Sequence, residues 1–235
     1  MDYLELTLPE AASNLALDEA LLLEAEAERS GEVLRIWEWP TPVVVLGAGS
    51  RLTEDVNVAA CEHDRVPILR RSSGGGTVLL GEGCLLYSLV LRYDRDPTLD
   101  DIRASYGFIL DLILDALDMP GTRREGSDLA LDNLKFSGTA QQRKRTHLLH
   151  HGTLLHSFDV YRTYRYLRPP RRQPDYRAGR THEEFLVNFP RTADDIKRRL
   201  STAWEANRSL ASWPEAAVRT LCAEKYERDE WNRRR

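Results

Sequence analysis

Residues 70–76 bring together groups that suit the binding of an anion. Their sequence, Arg-Arg-Ser-Ser-Gly-Gly-Gly, places two forked cationic side chains beside three glycines, whose backbone lets a ligand approach closely. The apolar runs on either side, residues 66–69 and 77–80, predict strands, so we expect a turn between two strands that holds a phosphate or carboxylate. A Gly-Gly-Gly hairpin with solvated arginines is the alternative that these residues alone leave open.

A second candidate stretch, residues 133–143, has one lysine followed by small residues. Lys135 is expected early on a strand that follows a tight turn. The small residues Ser137, Gly138 and Ala140 would let a ligand lie along this strand. Lysine side chains are mostly exposed, so a solvated Lys135 without a chemical role is the alternative.

The paired histidines His150 and His151 form a third candidate. Neighbouring residues on a strand point to opposite faces, so only one of the two can enter a given site. We therefore expect one histidine in the core or supporting the site, and a metal site built from both is the less favoured interpretation.

Composition narrows the class of protein. The 235 residues, 42% hydrophobic, suffice for one large domain or two small ones, and a net charge of −4 gives no reason to expect nucleic acid as a partner. No apolar run approaches the ~18 residues of a membrane span and no signal peptide is evident, so we expect a cytoplasmic protein.

Cys61, Cys84 and Cys222 are too scattered to indicate a disulfide framework or a zinc site. Arginines crowd residues 162–180 and the last three positions, which indicates a solvated surface or a docking patch for an acidic protein.

The order of the predicted elements indicates an α+β fold with a mixed, mostly antiparallel sheet flanked by helices. A half-buried strand is predicted at residues 3–8, followed by a helix that Ser13 or Asn14 caps and that ends near Gly31. Further strands are predicted at 33–37, 43–46, 85–91, 128–131, 134–137 and 148–158, and further helices at 55–63, 102–117, 192–206 and 216–226. Residues 169–179, rich in Pro and Arg, are expected to form a mobile loop.

The three candidate stretches, in this order, resemble the motifs of one catalytic domain, that of the lipoate–protein ligase and octanoyltransferase family, which is related to biotin–protein ligases. Residues 70–76 match its Arg-Arg-x-Ser-Gly-Gly-Gly loop. Residues 135–141 match its Lys-[Ile/Phe/Val]-Ser-Gly-[Ser/Thr]-Ala-[Gln/Tyr] motif, and residues 150–155 match its His-His-Gly-[Ser/Thr]-Leu-Leu motif. Residues 14–22 resemble its first helix, and the similarity extends over about residues 3–200. The resemblance implies the fold of this domain.

This resemblance also implies a two-step acyl transfer. Lipoate and ATP react with Mg²⁺ to give lipoyl-adenylate, and a lysine ε-amine of a lipoyl-domain acceptor protein then attacks the mixed anhydride. Lys135 is implied as the catalytic group, which neutralises charge as the acyl carbon becomes tetrahedral. The apolar residues 43–46 and 78–80 are expected to line the slot for the aliphatic chain. The residues implied in binding lipoate and the adenylate are Arg70, Arg71, Ser72, Ser73, Gly74, Gly75, Gly76, Thr77, Val78, Ser137, Gly138, Ala140, His151, Gly152 and Thr153.

Two departures from the family pattern concern the pocket. Asp128 resembles the aspartate of an Asn-Asp-Leu motif that lies near the metal and the phosphate, but Ser127 replaces the asparagine. We keep Asp128 as the predicted metal ligand. Leu80 and Gly81 stand where family members often have His-Asp, so a pocket of different shape and a different acyl group are compatible with this sequence.

Three functions stay open on this basis. A ligase is favoured, because an octanoyltransferase that takes its acyl group from acyl-carrier protein needs a cysteine thiolate, and residues 123–158 contain no cysteine. A non-catalytic homologue that only binds lipoate is the third. The larger ligases carry a C-terminal accessory domain of roughly a hundred residues, whereas 29 residues follow the helix predicted at 192–206. We therefore expect residues 1–235 to be a single, monomeric catalytic domain, with a separate accessory protein if adenylation requires one.

Overall fold

The computed structural model describes residues 1–170 and 173–234. Helices and strands follow one another irregularly along the chain. The strands are β1 (Asp2–Glu5), β2 (Val33–Glu38), β3 (Val43–Leu46), β4 (Ile68–Arg70), β5 (Val78–Leu80), β6 (Cys84–Arg92), β7 (Thr122–Glu125), β8 (Asp128–Leu131), β9 (Leu134–Arg143), β10 (His147–Leu155) and β11 (Arg208–Ser209). The helices are α1 (Ala11–Glu26), α2 (Leu52–Asp55), α3 (Val58–His63), α4 (Ile102–Leu117), α5 (Tyr161–Tyr166), α6 (His182–Phe185), α7 (Ala193–Ala203), α8 (Glu215–Leu221) and α9 (Asp229–Asn232).

A mixed sheet of eight strands forms the centre of the fold, in the order β11-β1-β2-β6-β10-β9-β8-β7. β1 pairs in parallel with β2 and β11, and the other neighbouring strands pair antiparallel. The prediction of an α+β fold with a mixed, mostly antiparallel sheet is confirmed.

Both faces of this sheet are covered, which explains why its central strands are apolar on both sides. Successive residues of β2 point to opposite faces. Leu34 and Ile36 pack into the core below α4 and α7, whereas Val33 and Trp37 pack into the core formed with α1 and the smaller sheet. The candidate motifs lie on the side of α1 and the smaller sheet.

The glycine loop, which we define as residues 71–77, connects the two edge strands of a three-stranded sheet in the order β4-β3-β5. β4 lies parallel and β5 lies antiparallel to β3, so β4 and β5 are not neighbours. The hairpin alternative for these residues is therefore wrong. The loop instead passes over the end of β3, where the Arg71 N–H donates to the Leu46 carbonyl at 2.9 Å.

α1 begins earlier than predicted, at Ala11, with Glu10 in the N-cap position. The prediction that Ser13 or Asn14 caps the helix is wrong, because the Asn14 amide is buried and bonded elsewhere. Its Nδ2 donates to the Leu8 carbonyl and its Oδ1 accepts from the Leu8 N–H, both at 2.9 Å. This amide therefore fixes the chain that enters the helix from β1.

Several other predicted elements are confirmed in type. The helix predicted at 102–117 is α4, with the same bounds. The strands predicted at 128–131 and 134–137 are β8 and β9, which pair as a hairpin, and its turn residues Asp132 and Asn133 both have positive φ, 47° and 67°. The helix predicted at 55–63 is wrong in its extent, since α2 and α3 are separate and Asn57 caps α3 with its side chain.

The chain after α7 packs back on α1 through α8 and the turn that follows it. The helix predicted at 216–226 ends as an α-helix at Leu221 and continues as a π-helical turn, Cys222–Tyr226. Glu19 of α1 accepts a hydrogen bond from the Tyr226 hydroxyl at 2.7 Å. The C-terminal residues therefore belong to the same packed body as the first helix.

The mobile loop predicted at 169–179 includes Arg171 and Arg172, which lie outside the described residues, as does Arg235. Within the described part of this loop, Asp175–Arg177 forms a 3₁₀ turn. In residues 1–170 and 173–234, no helix has both the length and the apolar composition required to cross a membrane.

Candidate active site

A cavity of about 150 Å³ lies where the small sheet faces the middle of the large sheet. Strands β6, β9 and β10 line one side, β3, β5 and the glycine loop line the other, and α1 contributes to the wall. The predicted site residues that line it are Arg71, Gly75, Gly76, Thr77, Val78, Asp128, Lys135, Gly138, Ala140, His151, Gly152 and Thr153. The predicted site residues that do not line it are Arg70, Ser72, Ser73, Gly74 and Ser137.

Part of the wall is apolar and suits an aliphatic chain. Its apolar side chains are Leu15, Trp37, Val45, Val78, Leu80, Leu86 and Tyr87. The residues expected to form such a slot, 43–46 and 78–80, therefore contribute three of them. Leu80, at the position where family members often have histidine, is 2% exposed and extends the apolar surface. Gly81 lies beside Phe158, outside the lining residues.

Arg71 is the buried cation of the cavity wall. Its Nε donates to Ser73 Oγ at 3.0 Å, and its Nη2 donates to the carbonyls of Gly74 and Gly76. A bond from Nη1 to the Val45 carbonyl at 3.4 Å leaves one of the five N–H groups without a partner among the described residues. Burial lowers the pKa of Arg71 to about 10, so the group stays charged at neutral pH. Because no described carboxylate pairs with it, the cavity presents a fixed positive charge to an anion.

Arg70 is equally buried, but its side chain is directed away from the cavity. Its guanidinium donates to four backbone carbonyls, those of Gly47, Ser50, Trp231 and Arg234. The anion-binding role predicted for Arg70 therefore has no support in the position of its side chain. These bonds instead tie β4 to the loop after β3 and to the end of the chain.

Two glycines are required for the shape of the loop. Gly75 has a φ of +85°, and a Cβ there would lie 2.8 Å from Arg71 Nη2. A Cβ on Gly47 would lie 2.1 Å from the Gly75 carbonyl oxygen, closer than any side chain can approach. The backbone of the loop therefore packs directly against the segment after β3, and Arg71 lies directly over Gly75.

Lys135 is held in place by neighbours on the β8–β9 hairpin. Its Nζ lies 2.8 Å from Asp128 Oδ1, and Asp128 Oδ2 accepts from the Tyr176 hydroxyl at 3.0 Å. A Cβ on Gly138 would lie 2.8 Å from Lys135 Nζ, so the absence of a side chain there gives the lysine its path. The Lys135 side chain is 26% exposed. Lys135 therefore lies in the cavity wall and is paired with Asp128, so it is not the fully solvated side chain of the alternative interpretation.

His150 and His151 point to opposite faces of β10, as the sequence predicted. His150 is buried, with Nδ1 3.2 Å from Gln141 Nε2, and burial together with the charge of His151 lowers its pKa to about 3. His151 lines the cavity, with Nε2 2.6 Å from Ser73 Oγ. Since Ser73 also accepts from Arg71, His151 is linked to the buried guanidinium through one hydroxyl.

Asp18 on α1 contributes to the cavity wall a carboxylate that was not predicted from the sequence. Asp18 Oδ1 accepts from Arg35 Nη1 at 2.6 Å, and Oδ2 lies 3.5 Å from His151 Nδ1. Burial opposes the charge of Asp18, but the charge of Arg35 and a hydrogen bond from His151 lower its pKa overall. The arginine within the apolar β2 is the sequence signal for it, because a buried guanidinium needs a partner.

The cysteines lie away from this chemistry. Cys61, Cys84 and Cys222 are all buried, and none lines the cavity. Burial raises the pKa of Cys84 to about 12 and that of Cys61 to about 11. A thiol with such a pKa is almost fully protonated at neutral pH and is a poor nucleophile.

Comparison with known proteins places this site in a family. Residues 10–194 match the model described as the lipoyl protein ligase A/B catalytic domain. The chain belongs to this family. The octanoyltransferase LipM of Carboxydothermus hydrogenoformans is 31% identical over 94% of this chain and 93% of its own length. A second relative, from Aeropyrum pernix, is 30% identical over 84% of this chain and 72% of its own length. It has been assigned provisionally as a lipoate-protein ligase A.

Solved structures of the family confirm the fold. One describes a bi-partite lipoate protein ligase and its E2 lipoyl domain from an archaeal lipoylation system, that of Thermoplasma acidophilum. It superimposes with a TM-score of 0.81 and 21% identity, over 99% of this chain and 95% of the other. Since the relatives include both transferases and ligases, family membership alone does not decide between these two activities.

Proposed function

We propose that this chain is an ATP-dependent lipoate–protein ligase. In the first step, a carboxylate oxygen of lipoate attacks the α-phosphorus of ATP and pyrophosphate leaves. In the second step, the ε-amine of an acceptor lysine attacks the acyl carbon of lipoyl-adenylate, AMP leaves and the amine loses a proton. The observation that carries the proposal is one cavity that combines an apolar wall, the Arg71 guanidinium and Lys135, with no thiol among its described lining residues.

The position of Arg71 supports binding of the α-phosphate at the glycine loop. The one N–H of Arg71 that no other described residue accepts is available to a phosphate oxygen, and the Gly75 and Gly76 backbone lines the same wall. Donors held rigidly by other bonds stabilise developing charge without having to reorganise during the reaction. The apolar wall then receives the aliphatic chain of lipoate.

Lys135 is proposed as the catalytic group. An ammonium held at the wall stabilises the negative charge that develops as lipoate attacks phosphorus and as the acyl carbon becomes tetrahedral. Asp128 and Tyr176 fix its position through the contacts described above. The acylated lysine is that of the acceptor protein, so Lys135 itself stays unmodified.

Asp128 fits the part of a protein ligand for Mg²⁺. Mg²⁺ in nucleotide sites is bound by one or two carboxylates together with phosphates and water, and Asp128 is a carboxylate of the cavity wall. Within the described residues, no group of three or more His, Cys, Asp or Glu side chains is placed to hold a metal ion by itself. The ion would therefore arrive with ATP and neutralise phosphate charge.

The second candidate is octanoyl transfer from acyl-carrier protein, which the 31% identical LipM relative favours. Such a transfer passes the acyl group through a thiolate. The burial and the high pKa of Cys61 and Cys84 oppose this route, and Cys222 is also buried outside the cavity. We therefore rank it below the ligase.

The proposed partners are a lipoyl-domain acceptor and, where adenylation needs it, a separate accessory protein. The bi-partite lipoate protein ligase of Thermoplasma acidophilum, which shares the fold, supports a division of the enzyme between chains. We propose that the chain itself is a single, monomeric catalytic domain that acts in the cytoplasm.

Intact-mass spectrometry of the acceptor tests this function. The chain is mixed with Mg-ATP, lipoic acid and an apo lipoyl domain, and we expect an ATP-dependent mass increase of one lipoyl group. Transfer only from synthetic lipoyl-adenylate would show that adenylation requires a partner chain. Transfer from octanoyl-carrier protein without ATP would establish the second candidate. Binding of lipoate and ATP without any transfer would establish the non-catalytic homologue.

A cysteine-free variant separates the two mechanisms. The combined substitutions Cys61→Ala, Cys84→Ala and Cys222→Ala remove every thiol of the chain. A ligase keeps ATP-dependent transfer to the acceptor, whereas a thiol-dependent transferase loses transfer altogether. Because all three residues are buried, circular dichroism must show that the variant is folded, and the three single variants serve if it is not.

A further inference from the structure

We propose that the exposed face of α5 is the docking surface for the acceptor protein, an inference that rests on the proposed function. Tyr161 and Tyr164 lie three residues apart on this helix, so their side chains share one face. They are 68% and 66% exposed. Among the described residues, the large hydrophobic side chains this exposed are these two and Ile102. Tyrosine rings exposed side by side are typical of protein–protein interfaces.

The opposite side of α5 is fixed to the body of the protein. Thr163 and Tyr166 are buried, and the Tyr166 carbonyl accepts from the Asn57 N–H at 2.8 Å. The helix therefore presents its tyrosines on a rigid support. A preformed surface loses little conformational freedom when a partner binds.

The helix that carries this surface is connected to the cavity wall by two sets of contacts. The Arg168 N–H, just after α5, donates to the Asp55 carbonyl at 2.9 Å, and Asp55 Oδ2 accepts from Thr77 of the cavity wall at 2.8 Å. On the other side, α5 packs against α6, and Leu186, directly after α6, forms a β-bridge with Lys135. A protein seated on α5 therefore reaches the neighbourhood of both Thr77 and Lys135, where the acceptor lysine has to arrive.

The charge of this region indicates an acidic partner. Residues 159–170 contain three arginines and one aspartate, a net charge of +2 in a chain whose total is −4. Arg162 and Arg165 are exposed and paired with Asp159 and Asp64. Arg168 is also exposed, donates from Nε to the Val56 carbonyl and has no carboxylate partner among the described residues. The surface therefore fits an acceptor with carboxylates near its lysine.

Removal of the two tyrosine rings tests this inference. In the double variant Tyr161→Ser/Tyr164→Ser, we expect KM for the apo lipoyl domain to rise about tenfold or more, because tyrosine is among the residue types that contribute most at interfaces. The formation of lipoyl-adenylate from lipoate and ATP, measured without acceptor, stays unchanged. Ile102→Ser is the matched control, since Ile102 is 58% exposed on α4, which does not line the cavity, and should change neither value.

A charge reversal extends the test. Arg168→Glu should weaken binding of the acceptor and make it less sensitive to salt, as expected when an attractive charge is removed. An acceptor KM within twofold of the wild-type value in the double variant would overturn the inference. So would a double variant that changes the sedimentation coefficient or the binding of an accessory protein and leaves the acceptor KM unchanged.

A calorimetric titration distinguishes failure of this inference from failure of the proposed function. If the wild-type chain forms no adenylate and also transfers no lipoyl group from synthetic lipoyl-adenylate, the ligase proposal fails, but the apo lipoyl domain can still be titrated into the wild type and the double variant. A tenfold weaker Kd in the variant would then support the docking surface independently of the reaction. An equal Kd for both proteins would refute it.

Discussion

The glycine loop and Arg70, the last residue of β4 just before it, present two faces that use the same type of side chain for different purposes. On the front face, which we define by Arg71, Gly75 and Gly76, a buried guanidinium lines the cavity and retains one N–H without a partner in the described part of the chain. On the rear face, which we define by Arg70, the guanidinium is bonded to four backbone carbonyls. Both arginines are buried, with Arg71 8% exposed and Arg70 0% exposed. The bonding partners distinguish the two arginines, and burial does not.

The rear face depends on the end of the chain. Trp231 Nε1 donates to the Arg70 carbonyl at 2.8 Å, and Asn232 Oδ1 accepts from the Arg70 N–H at 2.9 Å. Lys225 lies 4.3 Å over the Trp231 ring and pairs with Glu19 of α1 at 2.7 Å. The cavity side of the glycine loop is therefore held still by a separate set of contacts on its other side.

The largest effect should come from Lys135, on the cavity wall that faces the glycine loop. We expect Lys135→Ala to slow acyl transfer by about 10²–10³-fold, the usual cost of removing one group that stabilises the developing charge. The free energy of unfolding should change by less than about 1 kcal/mol, because the pair with Asp128 is partly exposed. Single-turnover kinetics and urea unfolding measure the two values. Transfer at the wild-type rate would show that Lys135 is not the catalytic group.

The rear face should show the opposite pattern. Arg70→Lys replaces five donors with three and breaks bonds to buried carbonyls, so we expect the free energy of unfolding to fall by about 3 kcal/mol. Arg208→Lys is the control, since this arginine is 76% exposed and paired with Asp2. It should cost less than about 1 kcal/mol. An Arg70→Lys variant as stable as this control would remove the structural role assigned to Arg70.

A substitution at Gly75 should disturb the front face and the backbone together. Gly75→Val forces a side chain into a positive φ and toward Arg71 Nη2, so we expect a loss of about 2 kcal/mol in unfolding free energy and weaker nucleotide binding. Gly74→Val is the matched control, because Gly74 has open space at its Cβ position. Equal nucleotide affinity in the two variants would count against a cradle at Gly75.

The smallest effect concerns His150, the buried histidine on the opposite face of β10 from His151. Burial lowers the pKa of His150 from its ordinary 6.5 to about 3, so between these values the unfolded chain binds a proton that the folded chain does not. Stability therefore falls as the pH falls below 6.5, by up to about 1.4 kcal/mol per pH unit. His150→Gln lacks this contribution. The free energy of unfolding, measured in urea, falls from pH 6.5 to pH 5, and this fall should be smaller in the variant than in the wild type by up to about 2 kcal/mol. The same loss in both proteins would contradict the low pKa.

Features that depend on residues close together in the sequence were predicted correctly, whereas features that depend on contacts between distant residues were not. The helix at 102–117 was predicted with its bounds, because its apolar residues recur at helical spacing. The cap at Asn14 was predicted wrongly, since this amide bonds to Leu8 and to Arg35, contacts that local sequence does not reveal. The carboxylate of Asp18 was missed for the same reason.

The difference between Arg70 and Arg71 was also beyond the sequence. The motif places them side by side, and both were predicted to bind the anion. Only the crossing over β3 directs one side chain to the cavity and the other to the end of the chain. The motif identified the loop correctly as part of the cavity wall, but the tertiary structure assigns its two faces.

The most direct test of this account compares the two arginines as ligands of the adenylate. A non-hydrolysable lipoyl-adenylate analogue, with a sulfamoyl group in place of the phosphate, is titrated calorimetrically into the wild type, Arg71→Lys and Arg70→Lys, at a temperature where all three are folded. We predict a loss of affinity of about 30-fold or more for Arg71→Lys, because the fork is lost, and less than about threefold for Arg70→Lys. Equal losses in both variants, or wild-type affinity in Arg71→Lys, would contradict the assignment of the front face to the ligand.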